Sequence, residues 1–122
     1  MKMRSRRRSN FIDGFINVYQ PNEKTTNFGA KKNVKTLDDL TFIVKLAFEE
    51  QYRRHEDLEF AEANNRTLSL KVKTRLYKGV QTNHKVIVDN VLYDIIDIDI
   101  DKFNQEMFIY LEYVKEVVIE DE

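Results

Sequence analysis

The chain has 122 residues, enough for one domain around a single core, with 42% hydrophobic and 34% charged residues and a formal net charge of −1. No apolar run approaches the roughly 20 residues of a membrane-spanning helix. The lack of cysteine excludes disulfides, thiolate nucleophiles and thiolate metal sites. The small net charge conceals a polarised layout: residues 1–88 hold 18 Lys/Arg against 10 Asp/Glu, a net of +8, and residues 89–122 hold 2 against 11, a net of −9. Ends of opposite sign suit copies that meet head to tail; the plainer reading is a pair of solvated ends.

In chain order, the basic start has no apolar stretch behind it and so does not read as a secretion signal. Asp13, Gly14 and Asn17 interrupt what a twin-arginine signal would need. The chain reads as intracellular, and without export the sequon Asn65-Arg66-Thr67 carries no meaning. Residues 1–14 are expected to be a basic flexible arm. Arg4, Arg6, Arg7 and Arg8 are candidate weak DNA contacts, because clustered guanidinium groups release counterions from phosphates.

Phe15 to Gln20 reads as a strand with Ile16 and Val18 on one side and Phe15, Asn17 and Tyr19 on the other. Pro21-Asn22 ends it, since proline cannot donate to a ladder. A polar loop with Lys24, Lys31, Lys32 and Lys35 follows and lacks a phosphate-loop pattern. Leu40 to Phe48 then alternates, which predicts Leu40, Phe42, Val44, Leu46 and Phe48 inward. The period of two stops at Glu49. Good helix formers predict a short helix from about Arg54 to Ala63, with Leu58, Phe60 and Ala61 sharing a side and Asn64-Asn65 ending it. A helix of that length is marginal alone and must dock on something.

Thr67 to Arg75 resumes the alternation, with Leu68, Leu70, Val72 and Thr74 toward the core and Lys71, Lys73 and Arg75 as a solvated basic stripe. His84 to Asp101 carries a hairpin. Asp89-Asn90 tolerates the positive φ of a two-residue type I′ turn, which would pair Val88 with Val91, Val86 with Tyr93 and His84 with Ile95. Beyond it Ile96, Ile98 and Ile100 alternate with Asp97, Asp99 and Asp101, a dry face against a wet one. Met107 to Val114 is the last strand. Its two faces, Met107, Ile109, Leu111 and Tyr113 against Phe108 and Tyr110, are both apolar, so it is central or partly covered. Residues 115–122 form an acidic tail.

The fold class is therefore mainly β: about six antiparallel strands in a small barrel, with one short helix or loop insertion at 49–64. Nothing argues for an enzyme or a cofactor. An EF-hand starting at Asp97 would need glycine and glutamate where Lys102 and Phe108 stand. His55 and His84 have no partner at zinc-ligand spacing and read as surface residues. The Lys71–Arg75 stripe lacks the interleaved aromatics of single-strand binders.

The run Asp57-Leu58-Glu59-Phe60-Ala61-Glu62-Ala63, followed by Arg66-Thr67-Leu68-Ser69-Leu70-Lys71-Val72-Lys73-Thr74-Arg75, resembles the phage head–tail adaptor family. These are the head-closure, or stopper, proteins of long-tailed siphophages. Lys85-Val86-Ile87-Val88, Tyr93-Asp94-Ile95-Ile96 and Tyr110-Leu111-Glu112 carry the same likeness, which covers about Asn17 to Val114. Asp89-Asn90 departs from the Asn-Gly of many relatives and keeps the turn feasible. The resemblance implies a homo-oligomeric ring, usually a dodecamer, at the virion head–tail interface after assembly in the host cytoplasm. Its partners would be the portal or adaptor protein above, a tail protein below and the double-stranded DNA it retains.

An insertion between core strands reaches the channel in such proteins. By position this is Glu49 to Asn64, with Lys24 to Lys35 the second candidate. Gln51, Tyr52, Arg53, Arg54, Glu56, Asp57 and Glu59 are the candidate channel or inter-subunit residues, with Tyr52, Arg53 and Arg54 expected to meet Glu56, Asp57 and Glu59 of the next copy. The competing readings are a small β-barrel nucleic-acid-binding protein, using the arm and the basic stripe, and a tail-terminator ring.

Overall fold

Alternating apolar residues produce six strands that curl until the first meets the fourth. The structure, a computed structural model, describes residues 10–22 and 39–118. Arg4, Arg6, Arg7 and Arg8 of the arm, the Lys24–Lys35 loop and the end of the acidic tail lie outside the described residues. The elements are β1 (Gly14–Pro21), β2 (Leu40–Gln51), α1 (His55–Ala63), β3 (Leu70–Arg75), β4 (Lys85–Val88), β5 (Val91–Asp101) and β6 (Glu106–Glu116). Every pairing is antiparallel, and the strands close into a barrel in the order β1-β2-β3-β6-β5-β4. Closure is partial along the longer strands: β2 meets β3 only over Phe48–Gln51, and β5 meets β4 only over Val91–Asp94.

The β4–β5 hairpin has the expected pairs Val86 opposite Tyr93 and Val88 opposite Val91, but the ladder ends at Lys85 and Asp94, so the expected pair of His84 with Ile95 is not part of it. Asp89 and Asn90 hold φ of 49° and 64°, the left-handed pair that a type I′ turn requires. Ile16, Val18, Val72, Val86, Ile95, Ile109 and Leu111 fill the interior. Strand β6 is central, flanked by β3 and β5.

Three one-residue bulges break the simple alternation. In β2, Val44 lies opposite Val18 and Phe42 opposite Tyr19, so Ile43 is the extra residue. A bulge shifts which residues face inward. Ile43 turns to the core and Phe42, expected inside, is 54% exposed, its ring edge-on to Tyr19 at 5.7 Å. In β5, Ile95 pairs with Leu111 and Asp97 with Tyr110, leaving Ile96 unmatched. Ile98 reaches the main core, but Ile96 packs on the outer surface beneath α1. The dry face expected of Ile96, Ile98 and Ile100 is thus divided, and Ile100 is half exposed. In β6 the extra residue is Val114, between the Leu92/Lys115 and Tyr93/Tyr113 pairs.

Candidate functional site

The chain leaves β2 at Gln51 and crosses the outside of the barrel as a strap of one helix with two short legs. Arg54 is the helix N-cap, extended at φ −71° and ψ 157°. Its backbone N–H donates to Asp57 Oδ2 at 3.0 Å, so the third helical residue satisfies the cap in the manner of half a capping box. At the far end Asn65 takes φ 58°, and Arg66 N–H donates to the Ala61 carbonyl at 2.8 Å, closing the helix as the Asn64-Asn65 pair predicts.

Both legs are tied to the wall. Arg53 Nη1 donates to the carbonyls of Leu68 and Ser69 at 3.3 and 3.2 Å, binding one leg to the other. Glu112 on β6 accepts from Arg66 Nε at 2.5 Å and from the Thr67 backbone N–H at 2.8 Å. Burial alone would raise the Glu112 carboxyl, but these hydrogen bonds and the Arg66 charge hold it below its ordinary pKa.

Beneath the strap the sheet is aromatic. Ala61 and Leu68 pack on Tyr110, with Ile96 and Phe108 beside them. This satisfies the expectation that β6, apolar on both faces, is covered. Of the side anticipated for it, however, the helix buries only Ala61. Asp57 and Ala61, one turn apart, face the wall at 4% and 2% exposure, whereas Leu58 and Phe60 are 38% and 49% exposed. A helix that conceals a carboxylate must supply it with charge.

Lys71 supplies that charge. It sits opposite Tyr110 in the β3–β6 ladder, is 6% exposed, and its Nζ reaches Asp57 Oδ2 at 2.9 Å. The ammonium also lies 5.1 Å from the Tyr110 ring centroid and 5.4 Å from that of Phe108, within range of a cation–π attraction. Arg54 Nη2 completes the cluster at 2.9 Å from Asp57 Oδ1, and the hydrogen bond to Asp57 raises the guanidinium's pKa further. Burial pushes the Asp57 carboxyl up, yet the hydrogen bonds from Arg54 and Lys71, the Arg54 backbone N–H and the Lys71 charge together lower it to about 2.

The seven candidate residues do not act as one group. Arg54 and Asp57 are paired with each other, and Asp57 is buried, so neither is left to meet a neighbouring copy as expected. Glu56 is exposed with Arg54 Nη1 at 3.7 Å, and Glu59 accepts from His55 Nε2 at 2.7 Å across one helical turn. Gln51, Tyr52 and Arg53 do come together: with Glu50 and Leu58 they line an open cleft of about 390 Å³, and Tyr52 is 86% exposed at its edge.

The basic stripe needs a second correction. Lys71 is buried and Lys73, its side chain 14% exposed, lies 3.7 Å from Glu49; only Arg75 is open, with its guanidinium over the Phe11 ring. These cations are engaged by the protein itself and do not form a solvated or phosphate-gripping face. His84, expected at the surface, is 5% exposed; its Nδ1 accepts the Gln81 N–H at 3.1 Å, and burial pushes its pKa down. Among the described residues no three His, Asp or Glu side chains gather into a metal site.

Lys71, Tyr110 and Glu112 escaped the sequence reading as site residues. The available signal was the double-sided apolarity of β6 beside an alternating β3: whatever covers Tyr110 must also cover the strand neighbour of Tyr110, which is Lys71. Searches against protein-family models and curated proteins match neither.

The folded chain holds Asp57 and Glu112 below their unfolded pKa values, ordinarily near 3.8 and 4.5. Stability from such groups is complete above the unfolded value and disappears as pH falls through the folded one. Unfolding midpoints in urea should therefore fall between about pH 4 and pH 2. Asp57→Asn should flatten that dependence, which a denaturation series across the window measures.

Proposed function

We propose that this chain is a structural subunit of a phage head–tail connector, a head-closure ring that retains packaged double-stranded DNA and offers a surface to the tail. The observation that carries the reading is the placement of α1, the one helix among the described residues. It is an excursion between β2 and β3, pinned to the outside of a closed barrel, in the element order that the resemblance to the head–tail adaptor family implies. An excursion on the outside of a barrel can meet another protein without disturbing the ladders that hold the wall together. The strap is such an excursion.

Charge supports a passive relation to DNA. The outward residues of α1 include Glu56, Glu59 and Glu62, and carboxylates do not hold phosphates. A conduit lined by many free cations would instead bind DNA through counterion release. The pairing of Lys71 with Asp57 and of Lys73 with Glu49 weakens the part of a general nucleic-acid-binding reading that used the basic stripe.

Within this reading the pairing of Arg54 with Asp57 is a latch inside one subunit, and contacts between subunits fall to Tyr52, Glu56, Glu59 and their surroundings. Deleting the gene in the phage genome that encodes the chain should give capsids that package DNA, lose it and carry no tails. Electron microscopy of the particles tests this. Filled, tailed particles from the deletion would overturn the assignment.

A further inference from the structure

We infer that the exposed side of α1 docks on the β1–β2 wall of a second copy of this chain, head to tail. The inference rests on the ring reading above for its choice of a copy as partner. The two surfaces are unlike, and they lie opposite each other. Helix α1 packs on β6 through Ala61 and Tyr110, and β1 stands three strands from β6 in either direction around the six-strand ring. A contact between different patches on opposite sides of one molecule is heterologous, the kind that generates a ring when the rotation closes and a filament when it does not.

The patches are also complementary. On the wall, Phe15 and Phe42 are 55% and 54% exposed, and Lys45 Nζ lies 4.6 Å from the Phe15 ring centroid. Lys45 is the only charged residue in the paired stretches Phe15–Gln20 and Thr41–Ala47. On the strap, Leu58 and Phe60 flank a crown of Glu56, Glu59 and Glu62. Aromatic anchors beside a cation on one face, and apolar flanks under carboxylates on the other, give both desolvation and steering.

The native chain has no cysteine, which makes directed cross-linking clean. Ala47→Cys places a thiol on the wall beside Phe15, and Ala63→Cys places one at the end of α1; neither residue belongs to the latch. The two full-length variants are mixed over a concentration series reaching the millimolar range and treated with a short bismaleimide. Mixed dimers should form at least ten times faster than dimers of either variant alone, and the chain carrying both cysteines should give a ladder. Lys45→Glu should reduce that rate at least tenfold, and adding Glu59→Lys should restore it.

Equal rates in mixed and single-variant samples, or no cross-link at millimolar chain, would overturn the contact and leave the crown to a different protein. Failure of this contact is separable from failure of the ring role. The gene deletion reports on the role alone, and the cross-link on the contact alone.

Discussion

Asp57→Ala is expected to destabilise the fold by roughly 3 kcal/mol, because removing one member of a buried ion pair strands the other. The stranded group is Lys71, whose side chain is 7% exposed and has only the Tyr110 and Phe108 rings left to stabilise it. Arg54 is half exposed and returns to water. Lys71→Met alone should cost less, since Asp57 keeps its hydrogen bonds from Arg54. The double variant Asp57→Ala/Lys71→Met should be more stable than Asp57→Ala, because no buried charge is then left unpaired. Urea denaturation of the four proteins forms a double-mutant cycle. Additive losses would show that the pair is not coupled and that α1 is held by something else.

Tyr110→Ala should cost about 3–4 kcal/mol, in the range for deleting a large buried aromatic side chain. Tyr110 is 8% exposed and touches every layer of the site: it supports Ala61 and Leu68 above, lies against Ile96, and sits under the Lys71 ammonium. The main core is a separate cluster of residues on the other face of the sheet. The barrel should therefore persist while the strap loosens. Amide exchange should quicken through His55–Ala63 far more than in β1 or β4, and Tyr110→Phe, which keeps the ring, should preserve protection. If exchange rises uniformly over the barrel, the aromatic floor is part of the global core and not a local support for the helix.

The number of strands, the order of the elements along the chain, the position of the helix and two of the three hairpin pairs were legible in the sequence; the order of the strands around the barrel was not. Each depends on local chemistry: period-two apolar residues, a helix flanked by Asn64-Asn65, and two residues at Asp89 and Asn90 that accept positive φ. What was not legible depends on contacts between distant residues. A bulge is one residue too many on one strand relative to its partner, so Ile43, Ile96 and Val114 show nothing unusual when their own strands are read alone. Phe42 and Ile96 accordingly point away from the interior that alternation assigned to them.

The ion pair was hidden for a related reason. Asp57 lies in a helix with several acidic residues, and Lys71 lies in a strand with other cations, so each resembles a solvated neighbour of its own kind. Only the β3–β6 pairing, which sets Lys71 beside Tyr110, identifies the one cation that the strap will cover. Apolar content predicted that α1 would dock by Leu58, Phe60 and Ala61, and of these only Ala61 is buried. The face that is buried carries Asp57 beside Ala61, paired with Lys71, and Leu58 and Phe60 are left on the outside.

The barrel is zipped shut along β1 and β4 by three residue pairs, Asn17/Ile87, Val18/Val86 and Tyr19/Lys85, drawn from positions 66 to 70 residues apart. Long-range pairings of this sort form late, after local hairpins have already gained their hydrogen bonds. During translation β1 therefore waits with one ladder of backbone groups bare until β4 has been made, a period in which a stray strand from another nascent chain is a rival. Asn17 in the middle of β1 and Pro21 at its end lower that strand's appetite for such rivals. The polar interruptions that make β1 a modest strand by composition are thus a safeguard against premature pairing before the zip closes.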